Sequence, residues 1–422
     1  MRSFCVSAIA SNQGKTILTT ALLWHFRGDV RAYKIGPDFI DPQFHQKVTQ
    51  TPSINLDSYI MNQKQVKWIY NHYADKPIGI LEGVMGFYDG EDRGCSAYGV
   101  TKLLDIPTIL VLDGSGSYIT ISAVLKGMLE YQKDNTIKAV VLNKLSSKMH
   151  YELIKKQLQR DHPQIKVLGW IEKNLPQLRD THLGLELDDL DLISKISQTV
   201  LKHIDIDLLL SISTDRVCDD MPYPFAPIPK IDKTLAIVND SNFSFLYHDN
   251  EMFLRDVFAK VIKIDATKDE PIPNDVDIVY IPGGYVESDS AYERIKDSNR
   301  FKQNLITHAK TKPIYAECAG LLYLSKRVGD KKFAGILDAE FELGDRYKRL
   351  GYYYNQNGIK GHAFHYTYPT VQSLQKGYDI LQKHPQSKGE VSSWKSHKNV
   401  GTYLHTMFRA YPEIWCNITT TR

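Results

Sequence analysis

The sequence predicts an α/β fold in two domains, and three observations carry that prediction. Short apolar runs alternate with helical patterns through the first half. A proline-dense stretch then breaks the pattern near residue 216, with four prolines between Pro222 and Pro229. A fresh series of strands and helices follows it. At roughly 100–200 residues per domain, 422 residues suit two or three domains. The expected boundaries are a first domain over 1–215, a linker over 216–232 and a second domain over 233–422.

Taken in order, strands are expected over 4–9, 31–35, 77–81, 108–112, 139–142 and 166–170. Helices are expected between them, for example over 17–26 and 118–131. This alternation implies a mostly parallel sheet covered on both faces, with ligands at the carboxyl ends of its strands. After the linker, strands are expected over 234–238, 277–281 and 313–316.

Composition excludes several classes. The balance of 52 basic and 49 acidic residues leaves +3, without a basic arm for nucleic acid. No apolar run approaches the ~18 residues of a membrane span, and the start is too soon interrupted by polar residues for a signal peptide. The five cysteines Cys5, Cys95, Cys218, Cys318 and Cys416 are dispersed, which disfavours a disulfide framework or zinc site and suits a reducing cytoplasm.

Ser11, Asn12, Gln13, Gly14, Lys15 and Thr16 lie between the first strand and the first helix. That is the setting of a phosphate loop. Backbone amides and the helix N-terminus would cradle phosphates, Lys15 would reach the β- and γ-phosphates, and Thr16 would hold Mg²⁺. The strict pattern wants glycine where Ile9 stands. Acidic loops follow the second and third strands, with Asp38 and Asp41 in one and Glu82 and Asp89 in the other. Carboxylates at strand ends can hold Mg²⁺ against phosphates. Asp89 equally suits a simple turn.

In the second domain a strand runs directly into Glu317, Cys318, Ala319 and Gly320, and an apolar helix follows. A tight strand-to-helix turn exposes a nucleophile, and the helix N-terminus is expected to lower the thiol pKa of Cys318. Cys218 sits beside two aspartates, and the other three cysteines read as small buried hydrophobes. His405, His362 and His365 are all candidate bases. Gly283 and Gly284 could turn backbone amides toward an oxyanion.

These motifs together resemble the cobyrinic acid a,c-diamide synthase family of glutamine-dependent amidoligases. The matching segments are SNQGKT at 11–16, KIGPDFIDPQFH at 34–45, SINLD at 53–57, EGVMGFYDG at 82–90, LLDIP at 103–107 and HLGL at 182–185. AECAG at 316–320 and GTYLH at 401–405 match a class I glutamine amidotransferase domain. The first half also resembles dethiobiotin synthetase.

The resemblance implies a P-loop, dethiobiotin-synthetase-like domain followed by a class I glutamine amidotransferase domain. It implies that Asn12, Gln13, Gly14, Lys15, Thr16, Lys34 and Asn143 bind ATP, Asn143 by the adenine edge. Thr16, Asp41 and Glu82 would hold Mg²⁺. Asp38, Phe39, Ile40 and His182 would face a tetrapyrrole substrate. Cys318 is implied as nucleophile and His405 as base. Glutamine is the implied nitrogen donor, and a homodimer is common among related synthetases. The implied reaction is amidation of the a and c acetates of cobyrinic acid through an acyl phosphate. Ammonia would pass between the domains without meeting bulk water.

The chain departs from the family pattern at Asn12, Thr181, Ala363 and Met407, the last standing where a third catalytic acid is usual. Hydrogenobyrinic acid and nickel sirohydrochlorin are alternative substrates of the same chemistry. A P-loop regulatory ATPase with a degenerate amidotransferase module is the alternative of another class. Retained Cys318 and His405 argue against it.

Overall fold

The structure is a computed structural model that describes residues 1–176, 180–181, 184–185, 190–215 and 221–420. The chain divides into two units, 1–224 and 225–422.

The first unit is α/β. Its elements are β1 (Arg2–Ala8), α1 (Lys15–His25), β2 (Val30–Ile35), α2 (Ile40–Thr49), β3 (Ile54–Leu56), α3 (Gln63–His72), β4 (Ile78–Glu82), α4 (Ala97–Leu104), β5 (Thr108–Asp113), α5 (Thr120–Tyr131), β6 (Ile137–Leu145), α6 (Lys148–Asp161) and β7 (Lys166–Glu172). They are followed by short β8 (Asp180–Thr181) and β9 (Gly184–Leu185), α7 (Leu190–Leu201), α8 (Ile206–Ile212) and β10 (Thr214–Asp215). The strand order is β3-β2-β4-β1-β5-β6-β7, all parallel, with β10 antiparallel to β1.

Strands covered on both faces read as continuous apolar runs, and β1 is buried from Ser3 to Ala8. Phe4, Val6 and Ala8 pack with Leu18, Ala21 and Leu22 of α1 in one core. Because β1 pairs with β4 on one side and β5 on the other, the chain reverses direction of travel at β1. Its carboxyl end is the crevice where ligands settle on such sheets.

The second unit contains β11 (Ile231–Val238), α9 (His248–Val257), β12 (Phe258–Ile264), β13 (Ile278–Ile281), α10 (Asp289–Ile295), α11 (Asn299–Ala309), β14 (Ile314–Glu317) and α12 (Ala319–Leu324). Then come β15 (Arg327–Val328), β16 (Lys331–Lys332), β17 (Glu340–Leu343), β18 (Arg349–Asn355), β19 (Lys360–His365), β20 (Thr367–Pro369), α13 (Val371–Leu374), β21 (Asp379–Gln382), β22 (Glu390–Ser396), β23 (Asn399–Thr402) and α14 (Glu413–Thr420).

The nine-stranded sheet runs β12-β11-β13-β14-β23-β22-β21-β18-β19. It is parallel from β12 to β23 and antiparallel beyond. The sequence expectation of a second βα series holds for the parallel half. The antiparallel strands β22, β21, β18 and β19 go beyond that expectation. Register sets Glu317 of β14 beside Thr402 of β23, so the residues following both strands emerge together.

Candidate functional site

In the first unit the chain leaves β1 into a loop whose Asn12 has φ 60 and Gly14 φ 97. Asparagine tolerates the left-handed region better than most residues, which lets Asn12 stand where the family pattern has glycine. Gly14 is required twice over: its φ is left-handed, and a Cβ there would lie 2.1 Å from Asn143 Nδ2. That amide donates to the Gln13 carbonyl at 2.8 Å, while Asn143 Oδ1 accepts from the Lys144 amide at 2.8 Å. Asn143 is 3% exposed. The side chain therefore braces the phosphate loop. Parallel register places Asn143 opposite Asp113, at the carboxyl end of the sheet.

Lys15 donates to the Ala10 carbonyl at 2.9 Å, inside its own loop. Burial, and then repulsion from Lys34, lower its pKa. Thr16 donates its hydroxyl to Glu82 Oε1 at 2.9 Å.

Lys34 and Glu82 are register partners on adjacent strands, which brings them together. The Lys34 ammonium contacts Asp41, Glu82 at 3.4 Å and Asp38 at 3.5 Å. Burial opposes the charge on Lys34, but Asp41, Glu82 and Asp38 outweigh it and hold its pKa above the usual value. Burial would likewise raise Asp41 and Glu82; Lys34 reverses that and keeps both ionised. Asp38 differs: burial, then repulsion from Asp41, push its carboxyl up to about 7.

The cluster has one member the sequence reading passed over. His45 Nε2 lies 2.8 Å from Glu82 Oε2, and its Nδ1 lies 3.1 Å from Ser53 Oγ. The signal was present, since His45 follows Asp41 by four residues and so shares its face of α2.

Asp38 accepts from the Ile40 amide at 2.8 Å, so its carboxylate folds onto its own loop and Lys34. Phe39 is buried at 8% exposure, and Ile40 is partly exposed. His182 lies outside the described residues, as does Cys218. Asp89 accepts the Gly86 amide at 2.7 Å and is a turn residue.

Thr16, Asp41 and Glu82 offer hard oxygen donors beside the phosphate loop. Mg²⁺ in phosphate sites is held by one or two carboxylates plus the phosphates, and this donor set fits that chemistry.

In the second unit, Cys318 takes φ 47 and ψ −104 between β14 and α12. The left-handed turn is held by the Cys318 amide donating to the Thr402 carbonyl at 2.8 Å. Gly320 allows it to close, because a Cβ there would sit 2.3 Å from the Ile281 carbonyl oxygen. The thiol is 4% exposed. Burial, and then the charge of Glu287, push its pKa well up; the amides of Ala319 and Gly284 face the sulfur and act the other way. Burial and Glu287 thus oppose the lowering expected at the N-terminus of α12.

Gly284 takes φ +150, with its would-be Cβ 2.1 Å from the Asn242 carbonyl. At Gly283 a Cβ would fall 2.1 Å from His405 Cε1, so this glycine makes room for the imidazole.

His405 is pinned by a two-way backbone bridge to His362, each amide donating to the other carbonyl at 2.8 Å. Its Nδ1 lies 3.4 Å from Glu317 Oε2. Burial pushes its pKa down to about 3. The rival His365 stacks on Tyr403 with ring centroids 3.6 Å apart, and its Nδ1 bonds the Thr367 carbonyl. His362 presents its ring 6.4 Å from that of His405. Geometry therefore favours His405 as the imidazole set between Gly283 and Glu317. Cys5 and Cys95 are buried as expected, whereas Cys416 is half-buried on α14.

Residues 234–412 match the CobB/CobQ-like glutamine amidotransferase domain family. A phosphate-loop α/β unit and an amidotransferase unit on one chain define a class, the glutamine-dependent ligases. The cobyrinate a,c-diamide synthase of Limosilactobacillus reuteri is 32% identical over 98% of this chain and 97% of its own. That of Caldanaerobacter subterraneus is 31% identical over 98% and 96%. That of Saccharolobus solfataricus is 32% identical over 97% and 98%. The chain belongs to the cobyrinate a,c-diamide synthase family. Among the described residues no helix is long and apolar enough to cross a membrane.

Proposed function

We propose that the protein amidates the a and c acetate carboxylates of cobyrinic acid, using ATP and glutamine, as an enzyme of cobalamin synthesis in a reducing cytoplasm. The observation that carries this reading is the pairing, in one chain of the family, of the Lys15–Thr16 loop with Cys318 and His405 following adjacent strands.

At the second unit Cys318 attacks the side-chain amide of glutamine, forming a thioester and releasing ammonia. His405 takes and returns the proton, and the Gly284 and Ala319 amides receive the oxyanion. At the first unit a substrate carboxylate attacks the γ-phosphate of ATP. Lys15 offsets the charge that develops, and Lys34 stands at the transferred group. Ammonia then displaces phosphate from the acyl phosphate. Mg²⁺, held by Thr16, Glu82 and Asp41, supplies charge neutralisation on the phosphates when bound.

Mass spectrometry of cobyrinic acid incubated with enzyme, Mg-ATP and glutamine tests the reading. Two replacements of OH by NH₂ per molecule are expected. Reaction only with nickel sirohydrochlorin or hydrogenobyrinic acid would reassign the substrate. Cys318→Ala is expected to lose the glutamine-driven reaction and keep the ammonia-driven one; loss of both sinks the two-site scheme.

A further inference from the structure

The position two residues after His405, where related amidotransferases carry an acid, holds Met407, which is buried and has no carboxylate. A carboxylate reaches the imidazole from elsewhere. Glu317, the residue before the nucleophile, is 2% exposed and places Oε2 3.4 Å from His405 Nδ1. The same oxygen accepts the Tyr280 hydroxyl at 3.0 Å, while Oε1 has no partner among the described residues. A buried carboxylate costs several kcal/mol, and a glutamine would serve the tyrosine hydrogen bond as well. Retaining the acid here calls for a task that needs charge.

We propose that Glu317 is the positioning residue of a cysteine–histidine–glutamate relay, its carboxylate fixing Nδ1 of His405. The proposal rests on the amidotransferase reading of the second unit. Accepting Nδ1–H leaves Nε2 as the basic nitrogen. The Cys318 S–H bond breaks as Nε2 gains the proton. Sulfur bonds the amide carbon, and the carbonyl π pair moves to oxygen. Collapse breaks the C–N bond, and the leaving nitrogen takes the proton from Nε2 and departs as ammonia. Glu317 exchanges no proton and stabilises the imidazolium.

The groups facing Glu317 are Tyr280 on β13, Tyr315 on β14, His405 after β23 and the adjacent Cys318. Burial pushes the Glu317 carboxyl up to about 8, and the Tyr280 and Tyr315 hydroxyls pull it back toward ionisation. Glutamine hydrolysis is therefore expected to rise along an alkaline limb near that pH.

The test measures glutamate release by the full chain across about pH 6 to 9. Glu317→Gln is expected to lower kcat by at least about tenfold, to leave KM for glutamine within about threefold, and to abolish the limb. Glu317→Asp is expected to recover part of kcat. Tyr280→Phe keeps the carboxyl but removes one donor, so the limb should move to higher pH; this variant decides the matter should Glu317→Gln not fold. Retention of kcat in Glu317→Gln, a loss confined to KM, or an unmoved limb in Tyr280→Phe overturns the proposal. An inactive parent chain overturns the amidotransferase reading as well, whereas an active parent matched by Glu317→Gln overturns this inference alone.

Discussion

Replacing Gly283 by alanine isolates the glutaminase geometry from everything else in the chain. Gly283 is the bridge partner of Phe245 beside β13 and lies outside the set of glycines with left-handed φ, so alanine strains no dihedral there. The cost is steric. The new Cβ would lie 2.1 Å from His405 Cε1, where ordinary contact begins at 3.4 Å. The difference means the ring must withdraw by 1.3 Å (3.4 minus 2.1). The backbone of His405 cannot follow, being held at both amide and carbonyl by His362. The ring must therefore swing, which breaks its 3.4 Å contact with Glu317 and displaces the imidazole that the proposed mechanism uses as base. A misplacement of about 1 Å costs roughly 10²-fold in rate, or about 2.7 kcal/mol of barrier. Glutamine-driven amidation should fall by about that factor while ammonia-driven amidation, followed by mass spectrometry, stays near the parent. Gly284→Ala is the contrast: φ +150 and a backbone carbonyl at 2.1 Å strain the loop itself, so its melting temperature should fall too. Glutamine turnover in Gly283→Ala within about threefold of the parent would refute the packing argument.

Lys34→Met leaves Asp38, Asp41 and Glu82 without their shared cation, and urea unfolding at pH 7 should show a loss of about 3–5 kcal/mol. Asp41 and Glu82 have depressed pKa values in the parent, so their contribution is present above about pH 4 and is lost as pH falls; the gap between variant and parent should narrow on acidification, and a constant gap would contradict the charge argument. Burial depresses His308 to about 4 and His362, His365 and His405 to about 3. The unfolded chain binds protons at these histidines below about pH 6.5 and the folded chain does not, so stability should fall as pH drops from about 6.5 toward 4; urea midpoints that are flat between pH 7 and 5 would exclude this. Glu287→Gln removes the charge that, after burial, most raises the Cys318 thiol, so alkylation by iodoacetamide at fixed pH should quicken, and an unchanged rate would deny Glu287 that influence.

What was legible in the sequence was local. The strand preceding Asn12–Thr16 and the helix opening at Lys15 follow from apolar periodicity and turn chemistry over a dozen residues, as does the Cys318 turn between β14 and α12. Six predicted strands of the first unit are present, with ends displaced by up to three residues, because strand ends are set by pairing partners rather than by the strand itself. Where the Asn143 and Phe39 side chains lie was not legible, for one physical reason. A side chain at a strand end or a loop start points wherever packing leaves room, and the room here lies inward, against Gln13 for one and into the interior for the other.

The sequence by itself determined the α/β class, the tight strand-to-helix turns at Gly14 and Cys318, and the family, since these reside in contiguous residues whose backbone conformation is fixed by their neighbours. Only the tertiary structure decided how distant residues share a charge or a volume. It put Lys34 opposite Glu82 by strand register and His45 behind that glutamate. It gave Gly283 the task of admitting an imidazole and turned Glu317 toward His405, 88 residues away. Such pairings depend on which strands lie side by side and on the desolvation that follows. Neither quantity exists in the chain until the sheets have formed.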